Sequence, residues 1–160
     1  MKRIIKFKLN GEDVEELVQD NITMVDFLRQ QMHMTGTKRG CEEGECGACT
    51  ILLDGAAVDS CLMLAVEAAG REVVTIEGVM KDGVLHPLQR EFMDKWALQC
   101  GFCTPGMIMS ALSLLHENPH PMEHEIRDAI AGNLCRCTGY TKIVEAIDSA
   151  AKILERQANA

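Results

Sequence analysis

The alternation of apolar and polar residues predicts strands in the first part of the chain. Over residues 3–9, apolar side chains alternate with lysines, a pattern typical of a half-buried strand. Asn10 and Gly11 follow, and this dipeptide favours the tight turn of a hairpin whose second strand covers residues 14–18. The chain is therefore predicted to begin with a β-hairpin.

A helix and a second hairpin are predicted after it. Thr23 and Asp26 resemble a capping box, and apolar residues follow them at helical spacing. Residues 50–58 carry an Asp-Gly turn between two apolar stretches, and residues 73–76 predict a fifth strand. We therefore expect residues 1–77 to form a small mixed sheet with one helix.

The periodicity becomes helical beyond residue 84. Four amphipathic stripes, three of them beside Pro or Gly, predict four helices of a small bundle over residues 85–160. Residues 78–84 are the predicted connector. Trp96 continues the stripe of the first of these helices and is either buried there or an anchor for a partner. The predicted fold class is α+β, with a mixed first domain and an all-α second domain.

Composition and charge narrow the function. The formal net charge is −8, which argues against a nucleic-acid surface, and no run approaches the roughly 18 to 20 apolar residues of a membrane span. The start of the chain has no export signal, so a cytoplasmic protein is expected. The unusual feature is sulfur, with eight cysteines and ten methionines in 160 residues. Metal or redox chemistry explains this content better than disulfides do.

Four cysteines have the spacing of plant-type 2Fe-2S ferredoxins. This first cysteine set follows the pattern C-x4-C-x2-C with one further cysteine, and consists of Cys41, Cys46, Cys49 and Cys61. The glycines between them allow positive φ and a close approach of backbone N–H groups to the cluster. A zinc knuckle or a pair of disulfides is the alternative, although zinc sites favour two separated C-x-x-C pairs.

The other four cysteines form a C-x-x-C and a C-x-C. This second cysteine set consists of Cys100, Cys103, Cys135 and Cys137, and each pair directly precedes a predicted helix. Four thiolates at two helix N-termini would suit an anionic iron-sulfur cluster. Spacing alone leaves zinc and a redox dithiol open.

The motifs together resemble one family. GCEEGECGACT, SCLMLA, HPLQ, QCGFCTPGM and GNLCRCTGY, in this order and over nearly the whole chain, are similar to the small iron-sulfur subunit of the molybdenum hydroxylases, the xanthine oxidase and aldehyde oxidoreductase family. The resemblance implies a β-grasp plant-type 2Fe-2S ferredoxin domain followed by a four-helix bundle with a second 2Fe-2S cluster.

The resemblance also implies roles and partners. The second set would hold the cluster proximal to the molybdopterin of a large subunit, with Gln99 and Cys137 contacting the pterin, and the first set the distal cluster. Single electrons would then pass from molybdenum through both clusters to FAD in a medium subunit, or to another acceptor. The expected assembly is a hetero-oligomer such as a dimer of heterotrimers, in which this chain is not catalytic alone.

Two further functions compete with this one. The chain could be an independent two-cluster redox carrier, or a zinc-stabilised interaction module with no redox role. The iron content and the colour of the purified protein distinguish the zinc-stabilised module from the two redox functions.

Overall fold

The first half of the molecule is a five-stranded sheet. The structure is a computed structural model that describes residues 1–159. The strands, numbered in chain order, are β1 (Lys2–Leu9), β2 (Glu12–Gln19), β3 (Thr50–Leu53), β4 (Ala56–Asp59) and β5 (Glu72–Val74). They lie in the order β2-β1-β5-β3-β4; β1 pairs with β5 in parallel, and the other pairs are antiparallel. The predicted mixed sheet is confirmed, although its fifth strand ends at Val74.

Local sequence signals place the turns of this sheet. Asn10 and Gly11 both adopt positive φ between β1 and β2, and Asp54 and Gly55 do so between β3 and β4, as these hairpin turns require. Helix α1 (Met24–Gln30) begins where the Thr23 hydroxyl accepts the backbone N–H of Asp26 at 3.3 Å. Both predicted hairpins and the predicted helix cap are present.

The second half consists of four helices. They are α2 (Pro87–Asp94), α3 (Thr104–Glu117), α4 (Glu123–Ala129) and α5 (Thr141–Ala158). Proline stands in the first turn of α2 and of α3, where its missing N–H is not needed. A short 3-10 turn, Ile76–Gly78, leads into the connector. None of these helices, nor any other in residues 1–159, is long and apolar enough to cross a membrane.

Each half has its own core, and the two halves also share apolar contacts. The sheet packs against α1 around the fully buried Phe27, whereas the helices pack around residues such as Phe92 and Ile147. Leu52 of β3 belongs to the core of the helices, and α3 packs against β3. The two halves therefore bury apolar surface against each other, which brings the loops of the two halves together.

Of the two alternatives for Trp96, burial on the apolar stripe of α2 is wrong. Helix α2 ends at Asp94, so Trp96 lies beyond the helix rather than on its apolar stripe. Its backbone is left-handed, with φ of 57°, and its side chain is 81% exposed. The chain turns back here, because the N–H of Ala97 donates to the carbonyl of Phe92, and Ala97 is buried in place of Trp96.

Candidate metal centres

The first cysteine set lies where the sheet meets a long loop. Cys41 and Cys46 belong to the loop that precedes β3, Cys49 directly precedes β3, and Cys61 follows β4. Cys49 and Cys61 are buried and contact Val25 of α1, whereas Cys41 and Cys46 are half-buried. The fold therefore buries two of the sulfurs beneath the loop that carries the other two.

Backbone N–H groups surround the Cys41 sulfur. The N–H groups of Glu43 and Glu45 donate to it at 3.4 and 3.3 Å, and the N–H of Cys41 donates to the Cys46 sulfur at 3.4 Å. These bonds from Glu43 and Glu45 lower the pKa of the Cys41 thiol to about 7. The loop thus supplies the hydrogen bonds that a thiolate ligand requires.

Burial has the opposite effect on Cys49. It raises the pKa of this thiol to about 12, since an apolar surrounding disfavours the thiolate. A thiolate at Cys49 would therefore need the positive charge of a bound metal to form near neutral pH. The first cysteine set therefore contains one thiol, Cys41, that is partly ionised at neutral pH and another, Cys49, that would ionise only on binding a metal.

Glycines permit the close packing of this loop. A side chain at Gly40 would place its Cβ 2.8 Å from the Cys46 sulfur. Gly47 has φ of 63°, and a Cβ there would lie 2.5 Å from the side-chain amide nitrogen of Asn133. The expected positive φ is present at Gly44 and Gly47, whereas Gly40 serves close approach alone.

The structure brings the second cysteine set together from both of its motifs. The Cys137 and Cys100 sulfurs lie 3.5 Å apart and are exposed, and the thiols of Cys103 and Cys135 are half-buried beside them. Cys103 is the N-cap residue of α3, and burial raises the pKa of its thiol to about 12. Cys137 lies four residues before α5, so only one pair directly adjoins a helix as predicted.

Side chains next to the motifs hold this arrangement. The Gln99 amide donates to the backbone carbonyl of Cys137 at 3.0 Å and so ties the two motifs to each other. The Tyr140 hydroxyl accepts the N–H of Cys135 at 2.8 Å, and the Thr138 hydroxyl lies 3.1 Å from the Cys135 sulfur. Gln99 is itself exposed, beside the exposed pair of sulfurs.

Sequence reasoning missed three of the residues that organise the sulfurs. Tyr140 and Thr138 belong to the GNLCRCTGY stretch, but nothing in the spacing shows that they bond Cys135. Asn133 is buried, and its side chain contacts Gly47 of the first cysteine loop. The sequence gives no signal for Asn133 either, since it follows Gly132, where the predicted apolar stripe has ended.

The donor set fits iron-sulfur clusters. Within residues 1–159, no three His, Cys, Asp or Glu side chains converge tightly enough to hold one metal ion. Two sulfurs of the second set, those of Cys100 and Cys137, lie as a close pair, and a 2Fe-2S cluster takes two thiolates on each of its two irons. The N–H groups directed at the sulfur of Cys41 fit the anionic charge of such a cluster.

Comparison with known proteins identifies the class. Residues 7–74 match the family model described as a 2Fe-2S iron-sulfur cluster binding domain, and residues 75–148 match the model of a 2Fe-2S binding domain. The chain is 52% identical over 143 residues to the nicotine 6-hydroxylase small subunit of Paenarthrobacter nicotinovorans, covering 89% of this chain and 86% of that protein. It is 47% identical over 158 residues to the nicotinate dehydrogenase small FeS subunit of Eubacterium barkeri, covering 99% of both.

Comparison with solved structures indicates the same class of protein. A chain of quinoline 2-oxidoreductase from Pseudomonas putida 86 matches with a TM-score of 0.93 and 46% identity, over 97% of each chain. Aldehyde oxidoreductase from Desulfovibrio gigas matches with a TM-score of 0.93 and 40% identity, over 97% of this chain but only 17% of the other. The chain belongs to the family of small iron-sulfur subunits of molybdenum hydroxylases, and it carries two 2Fe-2S-binding domains.

Proposed function

We propose that the chain relays single electrons as the iron-sulfur subunit of a molybdenum hydroxylase complex. The observation that carries this proposal is that one chain folds two complete sets of four cysteines, each in a domain of a 2Fe-2S-binding family. A 2Fe-2S cluster, when bound, takes up and gives up one electron, with a potential set by hydrogen bonds, charge and exposure. The residues of the chain hold the two clusters, shield them from water to different degrees and bring them close together.

Each cysteine set is assigned one cluster. Cys41, Cys46, Cys49 and Cys61 would ligate the distal cluster, and Cys100, Cys103, Cys135 and Cys137 the proximal one. The 3.5 Å separation of the Cys100 and Cys137 sulfurs supports their binding to a common iron, with Cys103 and Cys135 on the other. The N–H groups of Glu43 and Glu45 would stabilise the reduced, more negative state of the distal cluster.

The proximal site is assigned to the molybdenum side of the complex. Cys100, Cys137 and Gln99 are all exposed, whereas two sulfurs of the distal set are buried. An exposed ligand pair next to an exposed amide suits a contact with a pterin in another subunit, as the family resemblance implies for Gln99 and Cys137. The carboxamide can serve this contact only with its remaining donor and its oxygen, since one N–H already bonds the Cys137 carbonyl.

The domain assignment is part of the same proposal. Residues 1–77 would form a β-grasp ferredoxin domain, residues 78–84 the connector, and residues 85–160 a four-helix bundle. The order of the strands and the contacts of α5 with α2 and α4 support this division. The family models meet at residues 74 and 75, a few residues before the proposed connector.

The partners of this chain are inferred from the subunit composition of its relatives. The nicotine and nicotinate enzymes named above include subunits described as small, and the Desulfovibrio chain is far longer than this one. We therefore assign this chain a large molybdopterin-binding partner and a medium FAD-binding partner, in a hetero-oligomer such as a dimer of heterotrimers. The cytoplasmic location remains a prediction from the sequence.

Metal analysis with spectroscopy tests this function. Iron and acid-labile sulfide would be measured on the purified chain, together with low-temperature EPR after dithionite reduction. The proposal predicts about four iron and four sulfide per chain and two distinct 2Fe-2S signals. A colourless protein with bound zinc would instead support the interaction module.

Co-purification separates the two redox alternatives. An affinity-tagged chain expressed from its own genomic context should co-elute with molybdenum and FAD in stoichiometric amounts. A monomer that carries both clusters but no molybdenum or FAD would support the independent electron carrier.

A further inference from the structure

Two consecutive carbonyls of the first cysteine loop are bonded to two consecutive residues that precede Cys135. The N–H of Leu134 donates to the Cys46 carbonyl at 2.9 Å, and the side-chain amide of Asn133 donates to the Gly47 carbonyl at 2.9 Å. Cys46 and Cys135 belong to different cysteine sets. The two sets are therefore joined directly through hydrogen bonds rather than only through the packing of the domains.

Asn133 is fully engaged in this junction. Its side chain is only 4% exposed, and its amide nitrogen also donates to the Thr50 hydroxyl at 3.2 Å. Its side-chain oxygen accepts the Ser110 hydroxyl at 2.7 Å. The side chain of Asn133 thus bridges α3 and the loop ahead of β3. Its nitrogen must donate towards the loop and its oxygen must accept from α3, which only an amide can do in this orientation.

The backbone around Asn133 leaves no room for another arrangement. A Cβ at Gly47 would lie 2.5 Å from both the Asn133 amide nitrogen and the Gly132 carbonyl, and a Cβ at Gly106 would clash with the Gly47 carbonyl. Glycines at both positions allow α3 to approach the first cysteine loop to backbone contact. The Gly47 carbonyl also accepts the hydroxyl of Thr50 at 2.7 Å and its N–H at 3.2 Å, so the Asn133 amide adds the bond that ties this carbonyl to the second cysteine set.

We propose that Asn133 is a positioning residue that fixes the separation and orientation of the two cysteine sets. The proposal rests on the proposed function, because the separation matters only if both sets hold redox clusters. Its amide holds the first loop in register with the segment that leads into Cys135. Loss of the amide would leave both sets intact but joined only by the Leu134 N–H and the packing of the two domains, which allows the sets to shift relative to each other.

Asn133→Ala in the cluster-loaded chain tests the proposal. Both clusters would be reduced, and the magnetic splitting between their EPR signals measured, since it reports their separation and orientation. The expected result is loss or marked narrowing of the splitting with unchanged iron per chain, together with faster hydrogen exchange at the Leu134 amide. Asn133→Asp, which keeps the acceptor for Ser110 but places an acceptor opposite the Gly47 carbonyl, should have the same effect and serves if the alanine variant does not fold.

Ser113→Ala is the matched control. Ser113 is also a buried residue of α3 at the contact between the domains; it accepts the N–H of Ala57 at 3.1 Å and donates to the Gly55 carbonyl at 3.3 Å. Its loss should lower thermal stability without changing the splitting or the exchange of Leu134. An unchanged splitting in Asn133→Ala, or an equal loss in Ser113→Ala, would overturn the positioning role.

Failure of the proposed electron-relay function would give a different result from failure of the Asn133 proposal. If the wild-type chain contains no iron, the proposed function fails whatever the variants do. Hydrogen exchange at the Leu134 amide then tests by itself whether Asn133 holds the two loops together. If the amide stays protected in Asn133→Ala, this role of Asn133 is overturned. If protection is lost in Asn133→Ala and kept in Ser113→Ala, the role is supported.

Discussion

The sulfur of Cys137 lies 3.5 Å from the sulfur of Cys100, although 37 residues separate them in the chain. The pair exists because the loop after α2 and the loop before α5 meet at one end of the helices, where Gln99 bonds the Cys137 carbonyl. Both sulfurs are exposed, in contrast to the buried Cys49 and Cys61. The two cysteine sets therefore differ in their access to partners, which suits a relay with one exposed end.

Cys103→Ser should remove one cluster and spare the other. Serine is a poor iron ligand, and Cys103 lies in a domain whose core is separate from that of the sheet. Iron per chain should fall from about four to about two, with loss of one EPR signal. Cys49→Ser is the matched control, because it removes a buried ligand of the other set and should abolish the other signal. Loss of both signals in either variant would contradict independent sites.

Cys41 should be far more reactive than Cys49 in the metal-free chain. The pKa of about 7 leaves roughly half of Cys41 as thiolate at pH 7, whereas Cys49, with a pKa of about 12, stays protonated. Alkylation of Cys41 by iodoacetamide should therefore slow as the pH falls below 7, and Cys49 should remain unlabelled up to pH 9. Peptide mass spectrometry after timed labelling measures both rates.

Labelling in denaturant is the control for the difference in alkylation rate between Cys41 and Cys49. In an unfolded chain both thiols should return to the ordinary pKa of about 8.5 and label at equal rates. Equal labelling in the folded, metal-free chain would show that the loop does not hold its hydrogen bonds to Cys41 without metal.

His86 should make the stability of the chain pH-dependent. Its ring nitrogen Nδ1 accepts the N–H of Leu88 at 3.2 Å and so caps α2, which only an unprotonated nitrogen can do. Burial, together with nearby His116, lowers the pKa of His86 below its ordinary value. Because the folded pKa is the lower one, this stabilisation is complete above about pH 6.5 and is lost as the pH falls through that value and the folded pKa.

His86→Asn separates the cap from the titration. Asparagine also caps helices but does not titrate, so the variant should match the wild type at pH 8 within about 0.5 kcal/mol and exceed it in stability at pH 5. His86→Ala should lose about 1 kcal/mol at pH 8. Urea denaturation at both pH values measures these differences. A wild type that loses no more stability than His86→Asn on acidification would contradict this role of His86.

Local signals predicted most of the fold. The Asn10-Gly11 and Asp54-Gly55 turns, the Thr23 cap and the prolines of α2 and α3 act within a few residues of themselves, so the sequence shows them directly. The C-x4-C-x2-C spacing is also a local pattern, and the 2Fe-2S-binding domain that it predicts is confirmed, whereas the ligand role of each cysteine stays a prediction. The second set remained ambiguous because its pairs meet only through tertiary structure.

Two features lay beyond any local pattern. Asn133 bonds a carbonyl 86 residues away, and nothing near it in sequence indicates that partner. Trp96 has helical spacing from Leu88 and Phe92, but α2 ends two residues before it and Ala97 takes the buried place. Periodicity cannot show where a stripe stops when the helix ends without Gly or Pro.

Trp96 lies where glycine would suit the backbone better. Its φ of 57° is costly for a residue with a Cβ, and its side chain, 81% exposed, gains little from packing in the isolated chain. Trp96→Gly should therefore be more stable than Trp96→Ala by about 1 kcal/mol, because both variants lose the indole and only glycine relieves the backbone. Thermal unfolding of the two variants, followed by circular dichroism, measures the difference. If the alanine variant is as stable as the glycine variant, residue 96 does not hold the left-handed conformation in solution, and the turn from α2 into Ala97 must be formed in another way.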